Sequence, residues 1–277
     1  MFSTDWQVSE RQHEILIERD RKIQLDDGIK IDCDIFRPQG DEKFPVILAM
    51  HPYDKAWQSN STMPVAFSGQ GSSYETGDYN FYVRRGYVLV IANLRGTHAS
   101  EGFFSHLDPD QQSVRDIYET IEWLSAQPWS DGNVGMVGVS YLAVVQKRVA
   151  ALAPPHLKAI FAPYGWSDGY RDLYYRGGIA AHGFLTHWLR TYCVDYQLKN
   201  NLREAWGDEK YDAAIAKAQQ DPELMAIPAF KEALENPDAG VNPYFCEILA
   251  NNLIGDYFTE RAMDFEAAST VPLYAGG

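Results

Sequence analysis

The chain has 277 residues, 45% hydrophobic and 13% aromatic, the composition of a globular protein with room for one large domain or two smaller ones. Its 24 Lys and Arg against 38 Asp and Glu leave a net charge of −14, a field that repels phosphate backbones and anionic lipid and so argues against nucleic acid or a membrane as partner. No apolar run approaches the roughly 20 residues of a membrane helix, and Met1–Glu10, with Asp5 and Glu10, has no signal-peptide pattern, so a cytoplasmic address is expected.

In chain order, Asp26-Asp27-Gly28 is a turn signal between Lys22–Leu25 and the alternating run Ile29–Phe36, which predicts a hairpin with Ile29, Ile31, Cys33 and Ile35 on one face. Pro45–Met50 and Tyr87–Leu94 are short, continuous, Val/Ile-rich runs, the pattern of parallel strands covered on both sheet faces. Val114, Ile117, Ile121 and Leu124 recur at spacings of three and four and predict an amphipathic helix over 111–126, ended by Pro128 and Asp131-Gly132. Then come a buried strand at Val134–Val139, a helix at Tyr141–Leu152 and a strand at Lys158–Pro163. From Trp166 the chain turns aromatic and helical, and a strand pattern returns only at Val271–Ala275. The expected organisation is an α/β core over residues 1–165, a helical insertion over 166–268, and a returning core strand at 269–277. Cys33, Cys193 and Cys246 are too scattered for a disulfide framework or a zinc site and read as buried or half-buried thiols.

Gly135-Met136-Val137-Gly138-Val139-Ser140-Tyr141 sets a serine between a buried strand and a helix. A serine there sits on a sharp turn that lifts its hydroxyl above the sheet edge and aims the following N–H groups at the same space, as acyl transfer requires. The fully glycine form of this motif has Gly at position 142, where this chain has Leu, followed by the small Ala143. After the strand Pro45–Met50 comes His51-Pro52-Tyr53-Asp54-Lys55, in the loop that supplies a second oxyanion donor in such folds; position alone leaves Tyr53 either a phenol donor or a ring packed on the sheet edge. After the next strand, Arg95 and Glu101 are expected to form a buried pair that shapes the loop, and His98 precedes the serine, the wrong chain order for the base.

These residues resemble the bacterial serine hydrolases that group cocaine esterase with the X-prolyl dipeptidyl aminopeptidases. The resemblance is carried by Asp27-Gly28 with Arg37-Pro38, Pro52-Tyr53-Asp54-Lys55, Arg95-Gly96 with Ser100-Glu101-Gly102, Glu122-Trp123-Leu124 through Gln127-Pro128-Trp129, and Gly135-Met136 through Gly138-Val139-Ser140-Tyr141. It implies an α/β-hydrolase fold, a mostly parallel sheet flanked by helices with an inserted helical cap. It also implies Ser140 as nucleophile, and an oxyanion hole made by the Tyr53 hydroxyl and the Tyr141 backbone N–H. Trp166 becomes a wall of the acyl pocket or, equally, a core aromatic.

In similar enzymes the catalytic Asp lies a few residues past the strand matching Val271–Ala275, and the His lies further on, before a C-terminal β-sandwich. The expectation is therefore an incomplete fold, lacking that C-terminal part and weakly active or inactive alone, completed by a missing segment or a second chain. After Ser140 only His156, His182 and His187 remain, and none matches the family's base. The expected chemistry is cofactor-free and metal-free hydrolysis of a small-molecule carboxylic ester through an acyl-serine. The alternatives are an amide hydrolase of the X-prolyl aminopeptidase or acylase type, with Asp168, Asp172 or the acidic residues of the cap receiving the substrate amine, or a non-catalytic binding fragment.

Overall fold

The computed structural model describes residues 7–58, 75–104, 109–186, 202–236, 248–263 and 271–276. Within them, β1 (Ile15–Gln24), β2 (Lys30–Pro38), β3 (Phe44–His51), β4 (Val88–Asn93), β5 (Ser130–Val137), β6 (Leu157–Phe161) and β9 (Leu273–Tyr274) form one sheet. Its order is β1-β2-β4-β3-β5-β6-β9. The hairpin is antiparallel, β2 joins β4 antiparallel, and every pairing from β4 through β3, β5 and β6 to β9 is parallel. The expected hairpin turn is present: Gly28 adopts φ +89, a left-handed conformation that costs glycine little, and its N–H donates to the Leu25 carbonyl at 2.9 Å.

The apolar periodicity fixes which faces meet. Helix α3 (Gln111–Ser125) and α4 (Tyr141–Ala150) are the two long helices flanking β5 in sequence. Val114, Ile117, Ile121 and Leu124 of α3 and Val145 and Val149 of α4 share one core with Ile31, Cys33, Ile35, Val46, Leu48, Val90 and Met136. On the other face, Phe36, Val83, Leu89 and Ile91 form a smaller core against Tyr79 and Tyr82, brought there by α2 (Tyr79–Val83). Alternating residues of β4 thus enter different cores, as a strand covered on both sides must. Cys33 lies within the larger core, where burial and the flanking Asp32 and Asp34 push its thiol up to about 12.

Past the strand-to-helix elbow at Ser140, a π-helical turn at Gly169–Tyr174 leads into the small hairpin of β7 (Tyr175–Arg176) and β8 (Ile179–Ala180). Helices α5 (Leu202–Trp206), α6 (Asp208–Gln219), α7 (Pro222–Met225), α8 (Pro228–Glu235) and α9 (Asp256–Thr259) follow α1 (Lys55–Gln58) and α2–α4 in chain order. Tyr170, Tyr175 and Phe258 interlock, with Tyr170 stacked 5.1 Å from Tyr175 and edge-on to Phe258 at 5.2 Å, so α9 is tied back to the segment just after the sheet. Cys193, Cys246, His187 and the expected boundary at 268–269 lie outside the described residues. No helix of the described residues is long and apolar enough to cross a membrane.

Candidate active site

Ser140 stands between β5 and α4 with φ 56 and ψ −120, a conformation that β-carbon-bearing residues rarely adopt. Strain of this kind survives only where the surroundings over-determine it, and here they do. The Ser140 N–H donates to the Pro163 carbonyl at 3.3 Å, and its carbonyl accepts from Ala143 and Val144 at 3.0 and 3.1 Å, so the turn is held from both sides. The buried Gln146 Nε2 donates to the carbonyls of Gly138 and Leu142, each at 3.0 Å, cross-bracing the strand end against the first turn of α4. The helix ends at Ala150, two residues short of the sequence expectation.

Small residues let the pieces approach. Gly138 has φ +143, and a Cβ there would meet Leu142 at 2.4 Å. Leucine at 142 is therefore compatible with the elbow because its partner has no side chain. A Cβ on Gly165 would lie 3.0 Å from that of Ala143, which accounts for the small residue expected there.

Tyr141 opens α4, where first-turn N–H groups point out along the helix axis toward the space above Ser140. Its ring is fully buried, edge-on to Tyr53 at 6.3 Å and to Trp166 at 6.2 Å. Ser140, Tyr53, Tyr141 and Trp166 are thus brought together, with Tyr141 in the middle of three aromatic rings. Tyr53 is half-buried, and its carbonyl accepts from His51 Nδ1 at 3.1 Å and from Asn93 Nδ2. Because that carbonyl can only accept, Nδ1 of His51 carries the proton. Complete burial, with His98 nearby, pushes the His51 pKa down to about 3, against the opposing hydrogen bond to Tyr53, so His51 is neutral at ordinary pH.

Of the three histidines that follow Ser140, His156 and His182 are among the described residues. His156 immediately precedes β6 while Ser140 follows β5, and since these strands run parallel the two residues occupy opposite edges of the sheet. Its Nδ1 is 2.6 Å from Glu122. His182 is exposed, its ring 5.7 Å from that of Phe230.

The expected pair of Arg95 with Glu101 does not form. Arg95 makes a two-pronged contact with Asp116, 2.7 Å at both prongs, and reaches Asp27 at 2.7 Å. The side chain of Asp116 is fully buried on the inner face of α3, a carboxylate position that demands a cation, whereas the exposed Glu101 accepts the Lys30 N–H at 3.0 Å. Asp168 and Asp172 are also occupied. Asp168 caps the π-helical turn through the Arg171 N–H and pairs with the Arg171 guanidinium, and Asp172 accepts the N–H groups of Ser167 and Asp168 at 2.9 and 3.0 Å.

The sequence profile of the X-Pro dipeptidyl-peptidase (S15) family matches residues 27–261, which contain every residue of this site. The chain belongs to that family. Among curated S15-type relatives it is 38% identical over 161 residues to cocaine esterase of a Rhodococcus strain, covering 56% of this chain and 25% of that protein. It is 30% identical over 192 residues to a putative Xaa-Pro dipeptidyl-peptidase of Bacillus anthracis, covering 60% and 31%. A solved CocE/NonD family hydrolase from Staphylococcus aureus superposes with a TM-score of 0.61 at 29% identity, over 92% of this chain and 40% of that one. The fold is accordingly that of the α/β hydrolases, and the chain spans about a quarter to a third of the length of these curated relatives.

Within this S15-family site the sequence reading missed His51, Asn93 and Gln146, whose side chains secure the elbow and its flanking loop, and Lys55 with its three aspartates. His51 had a usable signal, since a histidine at the end of a buried strand needs a local partner. Gln146 had another, because it lies on the buried side of α4 among valines.

Proposed function

We propose that this chain carries the nucleophile half of a serine hydrolase acting on carboxylic esters, with Ser140 forming the acyl-enzyme. The observation that carries the reading is the strained turn at Ser140, φ 56 and ψ −120, between a central strand and a helix. In the reaction the Ser140 oxygen attacks the acyl carbon, its proton passes to a base, and the carbonyl oxygen becomes an oxyanion that accepts from the Tyr53 hydroxyl and the Tyr141 N–H. Collapse expels the alcohol, and water then releases the acyl group. No cofactor or metal is required by this chemistry.

Residues 166–268 act as a cap, and Trp166, edge-on to Tyr141, serves as a wall of the acyl pocket. The base and its acid partner come from a segment beyond those described, in keeping with the greater length of the relatives. That segment also suits the apolar groove of about 500 Å³ along Ile47, Val137, Phe161, Leu273 and Tyr274, where three of the five side chains are exposed.

The family match favours a second reading, cleavage of X-Pro amides. Such a substrate needs an acid for its amine, and the engagement of Asp168 and Asp172 within their own turn favours the ester. The full-length protein is expected to hydrolyse a p-nitrophenyl ester faster than an X-Pro anilide, and Ser140→Ala should lower ester turnover by at least about 10⁴-fold. Wild-type turnover by Ser140→Ala would end the proposal. Residues 1–277 expressed alone should turn over little; robust turnover abolished by Ser140→Ala would move the base to His182 or His187.

A further inference from the structure

The loop 51–55 has little regular structure, yet it must present Tyr53 to within fractions of an ångström if a phenol is to stabilise an oxyanion. Three side chains anchor it. At its start, His51 and Asn93 grip the Tyr53 carbonyl. Two residues past Tyr53, the Lys55 ammonium lies 2.5 Å from Asp34, 2.6 Å from Asp20 and 3.3 Å from Asp32, with its side chain 9% exposed.

Together with two further cations, Lys55 and the three carboxylates form one cluster. Arg19 meets Asp34 at 2.5 Å and Lys22 meets Asp32 at 2.8 Å. Asp32 and Asp34 are almost completely buried on β2. Asp20 sits at φ 54 inside the bulge that interrupts β1 between Glu18 and Arg21, and its N–H donates to Asp34 at 3.0 Å. Buried ion pairs of this kind contribute little net stability, because desolvation offsets their attraction, and a left-handed non-glycine residue adds strain. What such a cluster supplies is fixed position.

Lys22 and the backbone of Asp32 also reach the loop after β4. Lys22 Nζ donates to the Ala99 carbonyl at 2.8 Å, and the Asp32 N–H donates to Ser100 Oγ at 2.9 Å, which in turn donates to the Asn93 carbonyl at 3.2 Å. Strand β2 thereby registers both loops that flank the elbow.

We infer that Lys55 is a positioning residue: held by Asp20, Asp32 and Asp34, it fixes the loop that presents the Tyr53 hydroxyl to the oxyanion. The inference rests on the reading of Ser140 and Tyr53 given above. Its test is a double-mutant cycle on ester turnover by the full-length protein. Tyr53→Phe should lower kcat about 10²- to 10³-fold, the usual loss of an oxyanion donor. Asp20→Asn keeps the shape, tolerates the left-handed backbone and leaves the buried carboxylates Asp32 and Asp34 intact, so the fold persists; it should lower kcat roughly 10-fold with KM unchanged. Lys55→Met should do the same more strongly.

In the Tyr53→Phe background Asp20→Asn should have no further effect on kcat, because there is no donor left to misplace. Losses that multiply, or a wild-type kcat for Asp20→Asn while Tyr53→Phe is slow, would overturn the positioning role alone. A wild-type kcat for Tyr53→Phe would overturn the oxyanion reading together with it. Should Lys55→Met not fold, the Asp20→Asn cycle decides by itself.

Discussion

A β-carbon added to Gly138 would lie 2.4 Å from the β-carbon of Leu142, closer than two such atoms approach. The contact is between the last turn of backbone before Ser140 and the first turn of α4, so it cannot be relieved without moving the serine. Gly138 also has φ +143, which an L side chain resists. Gly138→Ala should therefore destabilise the fold by about 2–4 kcal/mol and remove ester turnover, read by urea unfolding and a p-nitrophenyl assay. Leu142→Gly in the Gly138→Ala background should recover part of the turnover, since it removes the β-carbon that the alanine meets.

The strain at Ser140 itself has a sign that can be measured. Glycine adopts φ 56 without the penalty a β-carbon incurs, so Ser140→Gly should raise stability by about 1 kcal/mol while abolishing acyl-enzyme formation. For a chain of this size that is an increase of roughly 2–4 °C in Tm. Ser140→Ala keeps the strain and should leave Tm nearly unchanged. An equal Tm for the glycine and alanine variants would show that the turn stores no strain.

The elbow and the central strands were legible in the sequence because each is local: a run of Val and Ile, a Gly two residues before a Ser, a helix period directly after. The mistaken partner of Arg95 shows where locality fails. Glu101 is six residues away in sequence, whereas Asp116 comes from the inner face of α3, and only the sheet's crossover brings it within 2.7 Å. Its signal was an acid lying among Val114, Ile117 and Thr120 on a face that is otherwise buried. The Lys55 cluster was hidden for a related reason. The alternation that sets Ile31 and Cys33 on one face of β2 sets Asp32 and Asp34 on the other, where two carboxylates read as solvated until β1 and loop 51–55 close over them.

The Arg95 contact yields its own test. Both Arg95 prongs end on a fully buried carboxylate, so Asp116→Ala leaves a guanidinium that is 14% exposed facing a void. Removing one partner of such a pair typically costs about 3–5 kcal/mol. Arg95→Met with Asp116→Leu, which removes both charges, should recover much of that loss in urea unfolding. A double variant no more stable than the worse single one would assign Arg95 a purely steric role.

Acid should weaken the fold in two stages, and the higher stage belongs to His51. Its folded pKa of about 3 lies below the 6.5 of a free imidazole, so between those values the unfolded chain binds a proton that the folded chain refuses. Stability therefore stands complete above about pH 6.5 and declines as pH falls toward 3, by roughly a few kcal/mol in all. Asp34 acts lower. Burial alone would raise its pKa, but Lys55, the Asp20 N–H and Arg19 hold it below the ordinary carboxylate value of 3.8, so its contribution is lost only as pH drops through that region. His51→Asn retains a donor for the Tyr53 carbonyl and does not titrate. Urea midpoints measured from pH 7 to 4 should slope less steeply for His51→Asn than for the wild type, and parallel slopes would exclude His51 as the source of the acid sensitivity.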